Sequence, residues 1–405
     1  MLRNLYHYLF AFLANLIYGA PSRKIFVLGL TGTKGKSTAL EMLDSVLSVA
    51  GRRTALLTST RRKIGDRSEK SPYTNTMPGR GAIQAFLKEA VRAGCDIALV
   101  EVTSEGMKQH RGRFIDWDAA VFLNLHPEHI EAHGSFEKYR EAKLDLFREL
   151  GRSEKPRKFF VVNASSADAP HFQKVAGGIP GGETFLATLA EVDRIVRRIR
   201  KDKNPDWLLA DFNIENIAVV AKTARALGVG EEDIITGLEK FPGLRGRMDF
   251  VQHEPFSVVV DYAHTPESLR AVYNTLRKHL KEGSRLICVL GSAGGGRDKW
   301  KRPELGKIAG ESCDILILTS EDPYDEDPEE IIRAIEKGIP ADKAGKILKI
   351  TNRRTALREA VAVARNGDVV VSTGMGSQDW FYGPRGAKIP WDEHRIFEEI
   401  LKSGG

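Results

Sequence analysis

Cysteine is scarce in this chain: Cys95, Cys288 and Cys313 are three in 405 residues, far apart and each in an apolar, strand-like context. That excludes a disulfide-stapled scaffold and a cysteine-built metal site, and the three are expected to be core thiols in a reducing compartment. Acidic residues fall short of basic ones, 54 against 61, for a formal charge of +7. This excess suits an anionic small substrate or a membrane surface. No basic tract interleaves with aromatics and no nucleic-acid module is evident, so nucleic acid is not an expected partner. No cleavable leader is evident either. With 42% hydrophobic and 28% charged residues over this length, the composition is that of a soluble globular protein of two or three domains. The expected location is the cytoplasm, at most peripheral to the inner face of the membrane.

What is present centres on Ile25–Thr38, IFVLGLTGTKGKST. Ile25 to Leu30 reads as a buried parallel strand, and Ala39–Val49 carries helical periodicity. The turn between them would offer backbone N–H groups and a positive helix end to phosphates, with Gly32, Thr33, Lys34, Gly35 and Thr38 as its cradle. Lys36 can reach the β/γ-phosphates, and Ser37 can ligate Mg²⁺. The strict nucleotide-loop pattern wants a glycine where Leu30 stands; the variant that fits is G-T-x-G-K-[ST].

Before this loop, Leu2, Leu5, Tyr6, Leu9, Phe12, Leu13, Leu16 and Ile17 recur at helical spacing until Gly19 and Pro21 end the pattern. Two readings stand: a helix docked on the protein's own body, or a membrane-surface or partner-binding helix through residues 2–17 with a weak basic flank of Arg3, Arg23 and Lys24. It is too short to span a bilayer.

Beyond the loop, Thr54–Ser59 reads as a strand and Arg61–Ser71 as a polar loop. Asn75-Thr76-Met77-Pro78 precedes a helical stretch at Gly79–Ala93. Asp96–Val102 is a strand ending near Glu101, a carboxylate placed where open α/β sheets bind ligands and able to hold Mg²⁺. Thr103, Ser104 and Arg111 follow. Ala119–Leu125 is the next strand, and then His126, His129 and His133 fall within eight residues. No cysteine or fourth ligand lies nearby to build a zinc site, so a single His on Mg²⁺ fits better. Lys143 sits among apolar neighbours on the amphipathic stretch Ser135–Leu150; it is either semi-buried and reactive or snorkels to solvent. Phe159–Asn163 is a strand, and residues 165–210 read as irregular. Asn213 and Asn216 share a face of the next helix and can read an adenine edge or cap the helix.

Phe241-Pro242-Gly243 and Gly246 mark a linker, followed by Arg247-Met248. From Ser257 onward strands and helices alternate in a compact doubly wound pattern. Three polar or glycine loops fall at one sheet edge: Gly291–Arg297, Glu321-Asp322-Pro323-Tyr324 and Gly374-Met375-Gly376-Ser377-Gln378.

The constellation resembles the Mur ligase family, on its tripeptide-synthetase branch. The likeness runs from about Arg23 to the C-terminus. Gly32–Thr38 is similar to the family's ATP loop, Glu101–Arg111 to E-V-S-S-H-x-L-x-Q-H-R, and Asn124–Gly134 to N-L-x-x-D-H-L-D-x-H-G. Ala142-Lys143 with Leu146-Phe147 is similar to A-K-x-x-L-F, Asp261–Pro266 matches D-Y-A-H-T-P, and Lys301-Arg302-Pro303 matches K-R-P.

The resemblance implies an α/β fold: a helix at 1–22, a P-loop ATPase domain at 23–243 and a Rossmann-like domain at 244–405. It implies an ATP-dependent amide ligase that adds an amino acid to a muramoyl-peptide carboxylate through an acyl phosphate, in peptidoglycan precursor synthesis. Lys36 would hold the phosphates, and Ser37 and Glu101 one Mg²⁺. His129 would ligate a second, with Lys143 as a carbamate. Asn213 and Asn216 would flank adenine. Arg247, Asp261, Tyr262 and His264 would contact the nucleotide, with domain closure as the gating step. Asn75, Thr76, Thr103, Ser104, Arg111, Glu321, Asp322, Tyr324, Gly374 and Ser377 would face the two substrates.

The departures are as informative. The family's uridine-holding N-terminal domain has only about two dozen residues in its place here. Glu105 replaces a His, Met77 interrupts N-T-T-P, and Tyr324 stands where an arginine would grip the distal carboxylate of diaminopimelate. Ser377-Gln378 replaces the His-Glu of G-K-G-H-E. The incoming amino acid is therefore open. The rival readings are ligation to a lipid-linked or other acceptor, and a nucleotide-binding scaffold without ligation.

Overall fold

The computed structural model describes residues 2–73, 75–128, 133–296, 298–341 and 346–403. It divides into two compact units, Met1–Pro205 with Phe212–Pro242, and Asp206–Asp211 with Gly243–Gly405.

In the first unit β1 (Phe26–Thr31), β2 (Thr54–Leu57), β3 (Arg61–Ile64), β4 (Arg67–Lys70), β5 (Ile97–Val102), β6 (Ala119–Phe122), β7 (Lys158–Asn163) and β8 (Gly182–Ala187) form one sheet. Its order is β4-β3-β2-β5-β1-β6-β7-β8. The pairings β2–β3 and β3–β4 are antiparallel and the others parallel, so β3 alone runs against the rest of this sheet. The central strands are apolar along most of their length because helices cover both faces. Val27, Leu28, Val100, Val121 and Val161 are buried completely. With β1 between β5 and β6, the chain leaves β1 into a crevice at the carboxyl ends of the strands.

The stretch Arg61–Ser71, expected as a loop, is instead the β3–β4 hairpin. Its charged composition hid it, because the pairs across it are ionic. Arg62 opposes Glu69 in the register and binds it at 2.8 Å, and it also binds Glu89 at 2.7 Å. Residues 165–210 are ordered too, as the helix Ala169–Gly177, β8 and the helix Asp193–Asp202. The last buries only Ile195, Val196 and Ile199 amid charged residues, too thin a stripe to stand out in sequence.

Four helices matter to the site: α1 (Leu2–Tyr18), α2 (Lys36–Val49), α3 (Ala82–Arg92) and α4 (Ser104–Lys108). No helix of the described residues is long and apolar enough to cross a membrane.

The second unit holds β9 (Asp249–Gln252), β10 (Ser257–Asp261), β11 (Leu286–Leu290), β12 (Ile315–Leu318), β13 (Lys346–Lys349) and β14 (Val369–Thr373) in the order β13-β12-β11-β14-β10-β9. Only β9 runs antiparallel. A separate ribbon pairs β15 (Trp380–Tyr382) with β16 (Lys388–Pro390). The doubly wound reading is correct; β9, β13 and the ribbon are additions to it.

The cysteines need a correction. Cys288 and Cys313, 25 residues apart in sequence, form a disulfide with their Cα atoms 6.0 Å apart, and Cys95 alone is a free, buried thiol. Cys313 leads into β12, which pairs with the strand carrying Cys288, so sheet pairing brings together residues that sequence spacing keeps apart.

Candidate functional site

The phosphate loop is held from behind by one asparagine. Asn124 Oδ1 accepts the N–H groups of Thr33 (3.1 Å) and Lys34 (3.0 Å), and its Nδ2 donates to the Lys34 carbonyl (3.1 Å). Asn124 belongs to the N-L-x-x-D-H stretch, but sequence reasoning gave it no role. Gly35 precedes α2 at φ +79°, and a Cβ there would lie 2.6 Å from Asn216 Oδ1, so glycine is required twice over. No side chain caps α2, which leaves its first-turn N–H groups for an anion.

At the same strand ends the Ser37 hydroxyl donates to Glu101 Oε2 at 2.8 Å and lies 3.0 Å from the Ser59 hydroxyl. The Ser59 N–H reaches the same carboxylate oxygen at 3.0 Å. Lys36 Nζ donates to the Thr33 carbonyl at 3.1 Å and stands 3.8 Å from Glu101. This all-oxygen group beside a lysine and a bare helix end fits a hard divalent cation carried on a phosphate. Ser59 is a residue the sequence reading missed; its only signal was its place at the end of the strand expected over Thr54–Ser59.

Lys143 does not snorkel. It is buried, donates to the Gly32 carbonyl at 2.7 Å and lies 4.7 Å above the Tyr139 ring. Burial, and then the charge of Lys36, hold its pKa well below the usual lysine range, which favours a neutral amine. Tyr139 in turn hydrogen-bonds the Thr33 hydroxyl at 3.1 Å, and Glu128 pairs with Lys34 at 2.8 Å. His126 meets the loop through its backbone N–H on Thr33 Oγ1 at 3.0 Å, and His133 packs edge-on against Tyr139. His129 lies outside the described residues. Asn213 and Asn216 are buried and bond each other at 2.8 Å, with Asn216 against Gly35.

Of the residues expected to face the substrates, Thr103 caps α4 by accepting the Gly106 N–H at 3.1 Å, and Ser104 is buried in its first turn. Arg111 bonds the Met77 carbonyl and Gln109 Oε1, so it ties the α4 segment to the stretch after Asn75 and Thr76. Thr76 is partly buried and Asn75 is exposed.

In the second unit Arg247 stacks 4.2 Å from the Tyr262 ring, and His264 bonds the Tyr262 carbonyl at 2.8 Å. Asp261 accepts the N–H groups of Met248 and Ala263, both at 2.7 Å. The three expected loops do meet. A Cβ at Gly374 (φ +101°) would overlap the Glu321 carboxylate, and one at Gly291 would lie 2.7 Å from Glu321 Cβ. Glu321 Oε2 is buried with no hydrogen-bond partner among the described residues, and burial pushes this carboxyl up to about 7. Asp322 accepts the Tyr382 N–H at 2.8 Å, and Tyr324 stacks on Tyr382. Nearby, Arg353 and Glu393 form a fully buried ion pair at 2.6 Å, and Arg353 also binds the carbonyls of Ser320 and Thr373. Ser377, beside Gly376, completes the third loop.

The sequence matches two family models: the Mur ligase middle domain over residues 30–188 and the Mur ligase glutamate ligase domain over residues 246–376. The chain is 37% identical over 384 residues to the UDP-N-acetylmuramoyl-L-alanyl-D-glutamate–2,6-diaminopimelate ligase of Bacillus velezensis, covering 91% of this chain and 76% of the relative. It is 36% identical to the UDP-N-acetylmuramyl-tripeptide synthetase of a Roseiflexus species, covering 94% and 79%. A solved structure of a diaminopimelate ligase of the same name superposes with a TM-score of 0.63 at 26% identity, over 94% of this chain and 79% of that one. The folylpolyglutamate synthase of Mycobacterium tuberculosis shares the fold at a TM-score of 0.69 and 15% identity, over 90% and 92%. With this likeness running through the phosphate loop, the Ser37–Glu101 group and the loops of the second sheet, the chain belongs to the Mur ligase family of ATP-dependent amide ligases.

Proposed function

We propose that the chain joins an amino acid to the carboxylate of a muramoyl-peptide precursor, in peptidoglycan precursor synthesis. The observation that carries this reading is the Ser37–Glu101–Ser59 oxygen group beside Lys36, at the mouth of an uncapped helix. The named relatives that act on UDP-muramoyl peptides support the choice of acceptor.

In this reading Gly32–Thr38 cradle the ATP phosphates, Asn213 and Asn216 flank the adenine, and Arg247, Asp261, Tyr262 and His264 serve the nucleotide from residues 244–405. The acceptor carboxylate attacks the γ-phosphorus. ADP leaves, and the resulting acyl phosphate is attacked by the incoming amine, which loses a proton as phosphate departs. Lys36 and the helix end stabilise charge on the transferring group. Ser37 and Glu101 would hold one Mg²⁺ and His129 a second, and such ions neutralise phosphate charge and fix geometry. Lys143 is assigned as a carbamate: its neutral amine adds carbon dioxide and releases a proton, giving a carboxylate-like ligand. Asn75, Thr76, Thr103, Ser104 and Arg111 are assigned to the acceptor, and Glu321, Asp322, Tyr324, Gly374 and Ser377 to the amino acid. Residues 2–17 are assigned to a peripheral contact.

The test is phosphate release from Mg-ATP with a UDP-muramoyl dipeptide or its lipid-linked counterpart, each against a panel of amino acids. The expected result is release that needs both partners and a product heavier by one residue. ATP binding without release for any pair overturns the muropeptide assignment.

A further inference from the structure

Helix α1 is inverted relative to an ordinary surface helix. Its inner side meets the protein through Asn4, which contacts His110 at 2.5 Å, and through Tyr8 and Phe12, whose rings lie 5.2 and 5.4 Å from Phe114. Ala14 sits against Gly81, and Tyr18 lies under the Lys88 ammonium. Among the described side chains of the helix only Ala14 is buried. The outer side is mainly apolar among the described residues: Leu5, Leu9, Leu13, Leu16 and Ile17 form one stripe, with Leu9 47%, Leu13 50% and Ile17 71% exposed, and the exposed Tyr6 lies on the same side. Nine of the fourteen large apolar side chains exposed among the described residues belong to this one helix; the other five are scattered over residues 186–389. Single exposed apolar residues are normal, but a stripe of this kind marks a surface that something covers.

Charge identifies the cover. From Met1 to Ile25 the chain carries Arg3, Arg23 and Lys24 and no Asp or Glu, and the whole chain is at +7. Arg23 and Lys24 are exposed, although Arg23 also meets Asp116 and Glu154. A second copy would bring like charges together, and the stripe offers no polar group with which a protein partner could set a register. An anionic bilayer demands neither. It takes apolar side chains into the boundary of headgroups and acyl chains, and it attracts basic flanks. Seventeen residues make a helix about 25 Å long, suited to lying in that boundary.

We propose that α1 seats the protein on an anionic lipid bilayer through the Leu5–Leu9–Leu13–Leu16–Ile17 face. Because the inner side of the helix rests on His110 and Phe114, seating holds these two residues within about one helix diameter, roughly 10 Å, of the lipid surface.

The test is sedimentation of the full chain with vesicles of phosphatidylglycerol and phosphatidylcholine, against phosphatidylcholine alone, compared with the triple variant Leu9→Glu/Leu13→Glu/Ile17→Glu. These side chains already face solvent, so thermal unfolding of the variant is expected to match the parent. The parent is expected to bind the anionic vesicles more tightly than the neutral ones, more weakly at high salt, and about a hundredfold more tightly than the variant. Phosphate release with soluble substrates is expected to be equal in both, so that loss of docking is not mistaken for loss of the ligase. Equal binding by parent and variant overturns the proposal. So does absence of vesicle binding by the parent, including the case where it forms a concentration-dependent dimer that the variant dissolves.

Discussion

The carboxyl ends of the two sheets are built in opposite ways. At the first, polar groups of the phosphate loop are tied down: Asn124 holds Thr33 and Lys34, Lys143 holds Gly32, and Glu101 gathers Ser37 and Ser59. At the second, three non-glycine residues take left-handed backbone angles, Met248 at φ +46°, Asp322 at +39° and Tyr324 at +51°, and a carboxyl oxygen of Glu321 is buried without a partner among the described residues. Backbone strain of this kind persists only where the surroundings enforce it, and it gathers at ligand sites. A pre-organised cradle suits a ligand of fixed shape such as a polyphosphate. Strained loops around a buried carboxyl suit the partner that differs from one ligase to another.

The largest expected effect tests the first region. Lys36→Ala should lower kcat by about a thousandfold or more, with thermal unfolding unchanged, because in the proposed reading it removes the charge that stabilises the transferring phosphoryl group. Full activity in that variant would remove the loop from the chemistry. The second region should fail by unfolding instead. Arg353→Ala leaves the buried Glu393 carboxylate without its counter-charge, and should cost about 3–5 kcal/mol in denaturant or thermal unfolding.

Glu321 gives the second region a pH signature. Its folded-state pKa of about 7 lies above the ordinary 4.5, so the folded state holds the proton more tightly. The associated stability is complete below about pH 4.5 and is lost as pH rises through about 7, on the order of 3 kcal/mol. Glu321→Gln should flatten that slope in urea titrations between pH 5 and 8; an unchanged slope would mean that this carboxyl ionises freely. The smallest effect sharpens the contrast from the other side. Asn124→Ala should weaken ATP binding by about 1–3 kcal/mol through a loosened loop, with little change in stability, as calorimetric titration would report.

How much of this was legible in sequence depended on locality. The strand–loop–helix at Ile25–Val49 could be read because its signal is contiguous. Glu101 could be read because strand ends are where α/β sheets bind ligands. The β3–β4 hairpin escaped because its pairs, such as Arg62 with Glu69, are ionic and carry no apolar alternation. Ser59 and Asn124 acquire roles only through sheet order, which sets β2 and β6 on either side of the β5–β1 pair. The Cys288–Cys313 bond depends likewise on the pairing of β11 with β12. The burial of Lys143 was one of two open readings until the Gly32 carbonyl and the Tyr139 ring were seen to enclose it.

The most direct test of the central claim follows oxygen. With the acceptor carboxylate labelled with ¹⁸O, attack on the γ-phosphorus followed by attack of the amine should leave one labelled oxygen in the released phosphate and one in the new amide. Unlabelled phosphate released alongside amide product would contradict the acyl-phosphate route, and with it the role given to the Lys36 loop.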